Sequence, residues 1–485
     1  MVLKQLMERL EYRVIQGSGD TEVTEPVSVS DKVNTGAVFV CIRGHRTDGH
    51  RFIPEAVRNG AAAVVVEKAV AVPEHVTVIR VKDTRYALAL MSAAYYGYPA
   101  EKLKVIGVTG TKGKTTTAYM IRSILMSTGH RTGLIGTVEA VVGEKHYPAE
   151  NTTPESSEIQ RYFAEMVSAG CDSVVMEVSS QGLMLHRTAG IPFEIGIFTN
   201  LGKDHIGPGE HRDFEDYKRC KSLLFSQCRI GIGNVDDPYF KDIFRSATCK
   251  VETVGFSEKA DLRAEQPRFL SSPGYLGVAY HVSGKMEMDV EVDIPGRFSI
   301  YNSLMAIAVC RHFQVPEEKI REALKTVQVK GRIEMVKVSD RFTLMIDYAH
   351  NAMSLKSLLL TLREYQPKRI VCLFGCGGNR SRDRRFEMGE VAGKLADLTI
   401  ITSDNPRYEE PLSIMADIRA GIGRTAGKYV EICDRKEAIR YAITHGQPGD
   451  VIVLAGKGHE DYQEIKGKKY PMDERVLIRE ILAEL

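Results

Sequence analysis

The chain has almost no excess charge of either sign: 65 Lys and Arg stand against 63 Asp and Glu, a formal net charge of +2. That balance gives no bulk attraction to nucleic acid or to an anionic membrane surface. Long apolar runs are missing too, and none approaches the ~20 residues needed to span a bilayer. The opening stretch, "MVLKQLMERLEYRVI", breaks its apolar positions with Lys4, Glu8, Arg9 and Glu11. It reads as a short amphipathic helix and not as a signal peptide. The nine cysteines are scattered, and the pairs Cys372/Cys376 and Cys220/Cys228 lack zinc-ribbon spacing. They are expected to be reduced thiols in a cytoplasmic protein. No internal repeat or low-complexity segment stands out.

What is present is an ordinary globular composition, 43% hydrophobic and 26% charged over 485 residues. That length predicts two to four domains at ~150 residues each. Pattern divides it at residues 1–98, 99–328 and 329–485. The first segment holds short strands such as "AVFVCI" (37–42) and "AAAVVVE" (61–67). In the second, strand candidates "SVVMEVS" (173–179), "IGIFTNL" (195–201) and "RIGIGNV" (229–235) alternate with helical stretches, which argues for a parallel sheet. "EMDVEVDIPGRFSIYNSLMAIAVCRHF" then passes from strand alternation into a helix. In the third, "RIVCLFGCGG" (369–378), "LTIITSDNP" (398–406) and "DVIVLAGKG" (450–458) repeat the strand-then-loop pattern of a second doubly wound domain.

The most informative stretch is "VIGVTGTKGKTTTAYMI" (105–121). A β-rich run is expected to end at Gly107, and a glycine-rich loop then opens an amphipathic helix. Such a loop aims backbone N–H groups at an anion, and the helix N-terminus adds roughly half a positive charge. Lys114 can reach β- and γ-phosphates, and Thr115 can offer its hydroxyl to Mg²⁺. The usual phosphate-loop template puts four residues between its first glycine and "GK"; here five residues separate Gly107 from Gly113, giving G-x-x-G-T-x-G-K-T. The loop is expected to hold the phosphates of a nucleoside triphosphate through Gly110, Thr111, Lys112, Gly113, Lys114, Thr115 and Thr116.

This loop resembles the ATP loop of the Mur ligase superfamily, which includes folylpolyglutamate synthetase. Further stretches follow in that family's order: "ENTTPES" (150–156), "MEVSSQGL" (176–183), "FTNLGKDH" (198–205), "YKRCKSLLF" (217–225), "KGRIEMV" (330–336), "IDYAHN" (346–351), "FGCGGNR" (374–380), "SDNPR" (403–407) and "AGKGHEDYQ" (455–463). Together they resemble the branch that joins a diamino acid to a UDP-N-acetylmuramoyl dipeptide. The resemblance implies an α/β fold of three domains, with a central P-loop ATPase-like domain and a C-terminal Rossmann-like one. It implies a cytoplasmic, monomeric enzyme of cell-wall synthesis, with ATP and Mg²⁺ as cofactors and no nucleic-acid partner.

Amide synthesis from a carboxylate needs activation, which the family achieves through an acyl phosphate that an amine then displaces. That chemistry calls for cations where charge develops and for two substrates held in line. By resemblance, Lys114, Glu177, His205 and Lys221 are catalytic, and Thr115, Glu177 and His205 ligate metal. Lys221 matches a carbamylated lysine (N6-carboxylysine), a change that puts an anion where an ammonium would repel Mg²⁺. Asn302, Arg332 and Asp347 match residues on adenine and ribose, with His350 and Asn351 nearby. Asn151, Thr152, Thr153, Ser179 and Arg187 match the UDP-substrate side. Ser30, Lys32 and "GHRTDG" (44–49) come closest to the uridine pattern.

Arg380, Asp404, Asn405, Arg407, Gly456 and Glu460 match amino-acid contacts. "SDNPRYEEP" follows a predicted strand, where ligands of doubly wound folds bind. The Arg407 guanidinium suits the second carboxylate of meso-diaminopimelate, which lysine lacks. An Arg407 left unpaired would penalise lysine by on the order of 2–5 kcal/mol. The plainer reading pairs Arg407 with Glu409 or Glu410.

Several blocks depart from the family pattern. Lys112 stands where an Asn is usual, "SDK" (30–32) replaces "DSR", and Gln181 replaces a histidine. "DHIGPGEHRDF" (204–214) is longer than its counterpart, and "DYAHNAMS" and "GGNRS" differ from theirs. On the residues alone, two alternatives stay open: a Mur-like ligase acting on lysine or another amine or acceptor, and a non-catalytic nucleotide-binding paralogue.

Overall fold

The computed structural model describes residues 1–44, 47–204, 206–207 and 209–485. The chain falls into two compact units, Met1–Arg263 with Leu304–Lys319, and Ala264–Ser303 with Ile320–Leu485.

In the first unit the opening helix is only Leu3–Leu6, not the whole of "MVLKQLMERLEYRVI". Residues Arg13–Gln16 instead form a strand, β1, because β-branched Val14 and Ile15 favour extended backbone. With β2 (Pro26–Val27), β3 (Val38–Val40), β4 (Ala63–Val66) and β5 (Thr77–Arg80), β1 builds a five-stranded sheet in the order β1-β5-β4-β3-β2. β1 alone is antiparallel to its neighbour. The unbroken apolar runs of β3 and β4 are buried throughout, as strands covered on both faces require.

The strands that the larger sheet takes from this unit are β6 (Lys104–Thr109), β7 (Thr132–Ile135), β8 (Glu139–Val142), β9 (Lys145–Pro148), β10 (Ser173–Glu177), β11 (Phe193–Phe198), β12 (Cys228–Asn234) and β13 (Lys250–Gly255). Their order is β13-β12-β11-β6-β10-β7-β8-β9. The strands from β13 to β7 run parallel, and β8 and β9 are antiparallel. β6 lies between β10 and β11, with Val108 opposite Glu177 and Thr109 opposite Phe198. The loops after these three strands therefore leave the sheet side by side. Gly107 is not the strand end expected: β6 runs on to Thr109. A Cβ at Gly107 would come within 2.8 Å of the Phe193 ring, so this glycine serves sheet packing and not the phosphate loop.

In the second unit, a strand over Leu262–Ser272 (β14) having preceded them, β15 (Tyr275–Gly284) and β16 (Met288–Val292) pair antiparallel before the helix Arg297–His312. Then come β17 (Glu334–Val336), β18 (Thr343–Asp347), β19 (Arg369–Phe374), β20 (Leu398–Ile401), β21 (Tyr429–Glu431) and β22 (Asp450–Ala455). They form a six-stranded sheet in the order β17-β18-β22-β19-β20-β21. It is parallel except for the edge strand β17, with helices between its strands. Among the described residues no helix is long and apolar enough to cross a membrane, and the cysteines are free.

One buried ion pair ties this sheet's loop ends together. Arg435 is 4% exposed and Glu474 fully buried. The guanidinium donates to Glu474 Oε1 at 2.9 Å and to the carbonyls of Ser403 and Ala455, each at 3.1 Å. Glu474→Ala removes the carboxylate paired with the buried Arg435 guanidinium. It is expected to cost about 3–5 kcal/mol, read as a lower urea midpoint at unchanged slope. A loss under about 1 kcal/mol, the range of exposed pairs, would contradict this account.

Candidate active site

The phosphate loop starts at Gly110, whose φ of +145° and whose Cβ position, 1.9 Å from Thr199 Oγ1, both demand glycine. Gly113, at φ +86°, precedes the helix Lys114–Met126. The loop is pinned from β11's end. Thr199 Oγ1 and Asn200 Nδ2 donate to the Lys112 carbonyl at 2.7 and 3.0 Å, and the Lys112 and Thr111 amides donate to Asn200. Lys114 Nζ folds back to the carbonyls of Gly110 and Thr111, at 3.0 and 3.1 Å. Thr116 follows on the first helical turn.

Thr115 and Glu177, both expected to ligate metal, meet. Thr115 Oγ1 donates to Glu177 Oε1 at 2.9 Å, and Glu177 is 1% exposed. Thr137 grips the same carboxylate twice, amide to Oε1 and hydroxyl to Oε2, each at 2.9 Å. A Cβ on Gly136 would lie 2.5 Å from Oε1, so the grip requires glycine there. Sequence reading missed Gly136, Thr137, Thr199 and Asn200. "IGT" and "FTN" immediately after apolar strands were the available signal. His205 lies outside the described residues.

Lys221 is 2% exposed, on a helix (Phe214–Ser222) capped by Asp213 through the Asp216 amide. Its Nζ donates to the Gly110 carbonyl at 2.9 Å and lies 4.5 Å from the Tyr217 ring centre. Burial, with Lys114's like charge adding, holds its pKa well below the ordinary lysine value. An amine depressed in this way is more readily neutral and nucleophilic.

A cavity of about 140 Å³ joins these groups: Lys114, Lys221, Tyr217, Asn151, Thr152, Thr153, Ser179, Ser180, Gln181 and Arg187 line it. Five of the six expected UDP-substrate residues thus share a wall with both lysines. Ser30 is not among them; it lies in the 3₁₀ turn Ser30–Lys32, and its carbonyl accepts from Asn59. Thr153, Ser179 and Arg187 are partly committed inside the protein. Thr153 Oγ1 donates to the Glu177 carbonyl and accepts from the Ser179 amide, both at 2.9 Å, while Ser179 Oγ caps the helix Ser180–Met184. Arg187 donates to the Thr153 carbonyl at 2.8 Å and to Glu155 at 2.6 Å.

In the second unit, Asn302 is 3% exposed on the helix Arg297–His312. Asp347 ends β18, accepts from the amides of Ile333 and Ala349, and has its pKa raised by burial against the pull of Arg332. The Arg332 guanidinium lies 4.8 Å from the Tyr348 ring centre. Asn351 caps the helix Ala352–Arg363, and burial lowers the pKa of His350.

A second cavity, about 290 Å³, opens at the carboxyl ends of this sheet. All six expected amino-acid residues line it: Arg380, Asp404, Asn405, Arg407, Gly456 and Glu460. Their jobs differ. Asn405 is a brace: its Nδ2 donates to Glu460 Oε2 and its Oδ1 accepts from Lys457 Nζ, each at 2.9 Å. Gly456, at φ +108°, leaves room for Asp404 Oδ2, which a Cβ would approach to 3.0 Å. Arg407 is already paired, through Nε to Glu464 Oε2 at 3.0 Å and Nη1 to the Gly378 carbonyl at 2.7 Å. Its partner is thus neither Glu409, which binds Arg385, nor Glu410. Arg380 is exposed, and among the described residues its guanidinium makes no hydrogen bond. Lys457, fully buried and bonded also to Glu460 Oε2 at 2.9 Å, was missed because a lysine between two glycines reads as loop surface.

Comparison with known proteins agrees with this geometry. Residues 29–96 match the Mur ligase family catalytic domain, 108–310 the Mur ligase middle domain, and 331–458 the Mur ligase glutamate ligase domain. The chain is 42% identical over 489 residues to the UDP-N-acetylmuramoyl-L-alanyl-D-glutamate–2,6-diaminopimelate ligase of Clostridium perfringens (strain 13 / Type A), covering 99% of each. A solved UDP-N-acetylmuramoyl-L-alanyl-D-glutamate–2,6-diaminopimelate ligase matches with a TM-score of 0.73 and 27% identity, over 100% of this chain and 99% of that one. The MurF ligase of Thermotoga maritima, solved in complex with ADP, shares the fold at a TM-score of 0.56 and 19% identity, over 96% and 97%. Matched end to end, with the three segments in the family's order, the chain belongs to the Mur ligase family of ATP-dependent ligases.

Proposed function

We propose that the chain joins meso-diaminopimelate to UDP-N-acetylmuramoyl-L-alanyl-D-glutamate, with ATP consumed to ADP and phosphate, in peptidoglycan synthesis. The observation that carries this reading is the first cavity, where Lys114 and Lys221 meet Asn151–Thr153 and Arg187. An acceptor carboxylate held there faces the loop that holds the γ-phosphate. Its oxygen attacks the γ-phosphorus and ADP leaves, giving an acyl phosphate. The amine nitrogen then attacks the acyl carbon and loses a proton, and phosphate departs. Lys114 offsets the charge that builds on the phosphoryl oxygens.

In this reading residues 1–98 hold the uridine diphosphate through Ser30, Lys32 and the segment 44–49, of which His45 and Arg46 lie outside the described residues. Residues 99–328 hold ATP through Gly110–Thr116, with Asn302, and residues 329–485 add Arg332 and Asp347 and bind the amino acid. Thr115 and Glu177, with His205, would hold Mg²⁺. The facing hydroxyl and buried carboxylate are the hard oxygen donors that ion takes. When bound, it neutralises phosphate charge. Free cysteines suit a reducing cytoplasm, and we assign the chain there as a monomer.

Lys221 is proposed to act as its carbamate, the nucleophilic buried amine having added CO₂. Lys221→Ala is expected to be nearly inactive, and millimolar short carboxylates to restore part of the rate. Active wild-type protein that takes up no label from ¹³C-bicarbonate, as read by NMR, would refute the modification.

The amino-acid preference is tested by phosphate release across a panel of UDP-muramoyl peptides with diaminopimelate or lysine. Because Glu464 already balances Arg407, lysine does not leave a bare buried cation, and the discrimination expected from an unpaired arginine shrinks. At least about a tenfold preference in kcat/KM remains expected, ~1.4 kcal/mol. Arg407→Ala should narrow that gap, whereas Arg380→Ala should weaken both amino acids alike. Equal turnover of lysine by the wild type would overturn the assignment.

A further inference from the structure

The segment 204–214, longer than the family pattern, delivers a residue that the reaction above leaves unused. His211 is fully buried. Its Nε2 lies 2.8 Å from Ser180 Oγ, and its Nδ1 lies 3.5 Å from Asp216 Oδ2. The imidazole meets the Tyr217 ring edge-on, with centroids 5.2 Å apart, and Tyr217's hydroxyl is 3.1 Å from Thr111 Oγ1 in the phosphate loop. Ser180 lines the cavity that holds Lys114 and Lys221. We propose that His211 is a positioning residue that fixes the Ser180 hydroxyl as a hydrogen-bond acceptor for a peptide N–H of the acceptor substrate, beside the reacting carboxylate. The inference rests on the function proposed above and assigns one of its specificity contacts.

The argument is one of proton placement. Asp216 is a carboxylate held by Arg219 at 2.7 Å, and side-chain pairing with that arginine keeps its pKa below the usual value. A carboxylate beside Nδ1 favours the tautomer with its proton there, which makes Nε2 the acceptor. Ser180 then donates its single O–H to Nε2 and turns its lone pairs toward the cavity. Without the imidazole the hydroxyl can rotate and donate to a nearby carbonyl, and the acceptor on the cavity wall is lost. An exposed serine would show no such dependence, because water would take the place of Nε2. A buried one cannot substitute water so readily.

The experiment varies the UDP-muramoyl dipeptide and ATP separately in phosphate-release assays on Ser180→Ala, His211→Ala, His211→Gln and the double variant Ser180→Ala/His211→Ala. Ser180→Ala and His211→Ala are each expected to lower kcat/KM for the dipeptide about tenfold, one hydrogen bond's worth, with the KM for ATP within twofold. The double variant should be no worse than the poorer single one, since both remove the same contact. His211→Gln, whose amide oxygen can accept from the hydroxyl, should recover most of the loss. If His211→Ala does not fold, Ser180→Ala and His211→Gln decide the matter alone. An unchanged dipeptide kcat/KM in Ser180→Ala, losses that multiply, or equal losses on ATP and dipeptide would overturn the proposal. A wild-type chain that does not use the dipeptide would overturn the proposed function and this inference together.

Discussion

Glu177 ends β10 with both oxygens held: Thr115 and the Thr137 amide on one, the Thr137 hydroxyl on the other. A carboxyl group at 1% exposure is tolerable only because such donors replace its water. Each donor belongs to a different piece of the site. Thr115 opens the helix after the phosphate loop, Thr137 follows β7, and Thr153 reaches the Glu177 carbonyl while it also receives the Ser179 amide. Displacing the end of β10 would therefore loosen the nucleotide loop and the wall formed by Thr153 and Ser179 at once. Order in the sheet makes this possible, because β6 lies between β10 and β11 and brings their carboxyl ends together.

The two cavities handle buried cations differently. Lys221 has one carbonyl acceptor, an aromatic face and another lysine nearby, so burial pushes its ammonium down. Lys457 is as deeply buried, but Asn405, Glu460 and the Tyr462 carbonyl surround its Nζ. The first environment leaves the nitrogen with few acceptors; the second holds it by three, as a brace between loops. Both residues are buried lysines beside cavities, and the acceptors around each nitrogen are what set the two environments apart.

The parallel sheets, the phosphate loop and the family were legible because apolar runs, glycines and block order are local properties of the chain. Glu177 at a strand end and Lys221 on a helix were placed correctly for the same reason. The first helix was overread, since apolar spacing in "MVLKQLMERLEYRVI" fits a helix while the pairing of Val14 with Ile79 that makes it a strand is sixty-five residues distant. Gly107 was misplaced because its reason, the Phe193 ring, belongs to another strand. Thr137, Lys457, Arg435 and Glu464 escaped notice because each acts through a partner that only the fold brings near. Asn405, expected to meet the amino acid, does line the cavity, and its side chain is also bonded to Glu460 and Lys457, contacts that only the fold reveals.

Arg407 shows what such occupation does to recognition. A guanidinium left bare for its substrate would be a strong but costly clamp, since a buried charge without a partner destabilises the empty site. Glu464 relieves that cost while engaging only Nε, and Gly378's carbonyl takes Nη1. In the function proposed above, a substrate carboxylate would add to an existing pair and would have to tolerate Glu464's like charge nearby. The ammonium at the same end of a diamino acid offsets that repulsion. Under that proposal recognition would read a carboxylate and an amine together, and a substrate carrying the carboxylate alone would gain less from Arg407 than one carrying both. The left-handed backbone at Arg407, φ +54°, serves the same end, because the strained turn lets its amide reach the Glu464 carbonyl at 3.0 Å while the side chain reaches the carboxylate of the same residue. One glutamate thereby fixes the arginine by main chain and side chain, and the pocket's charge pattern is set before any substrate arrives.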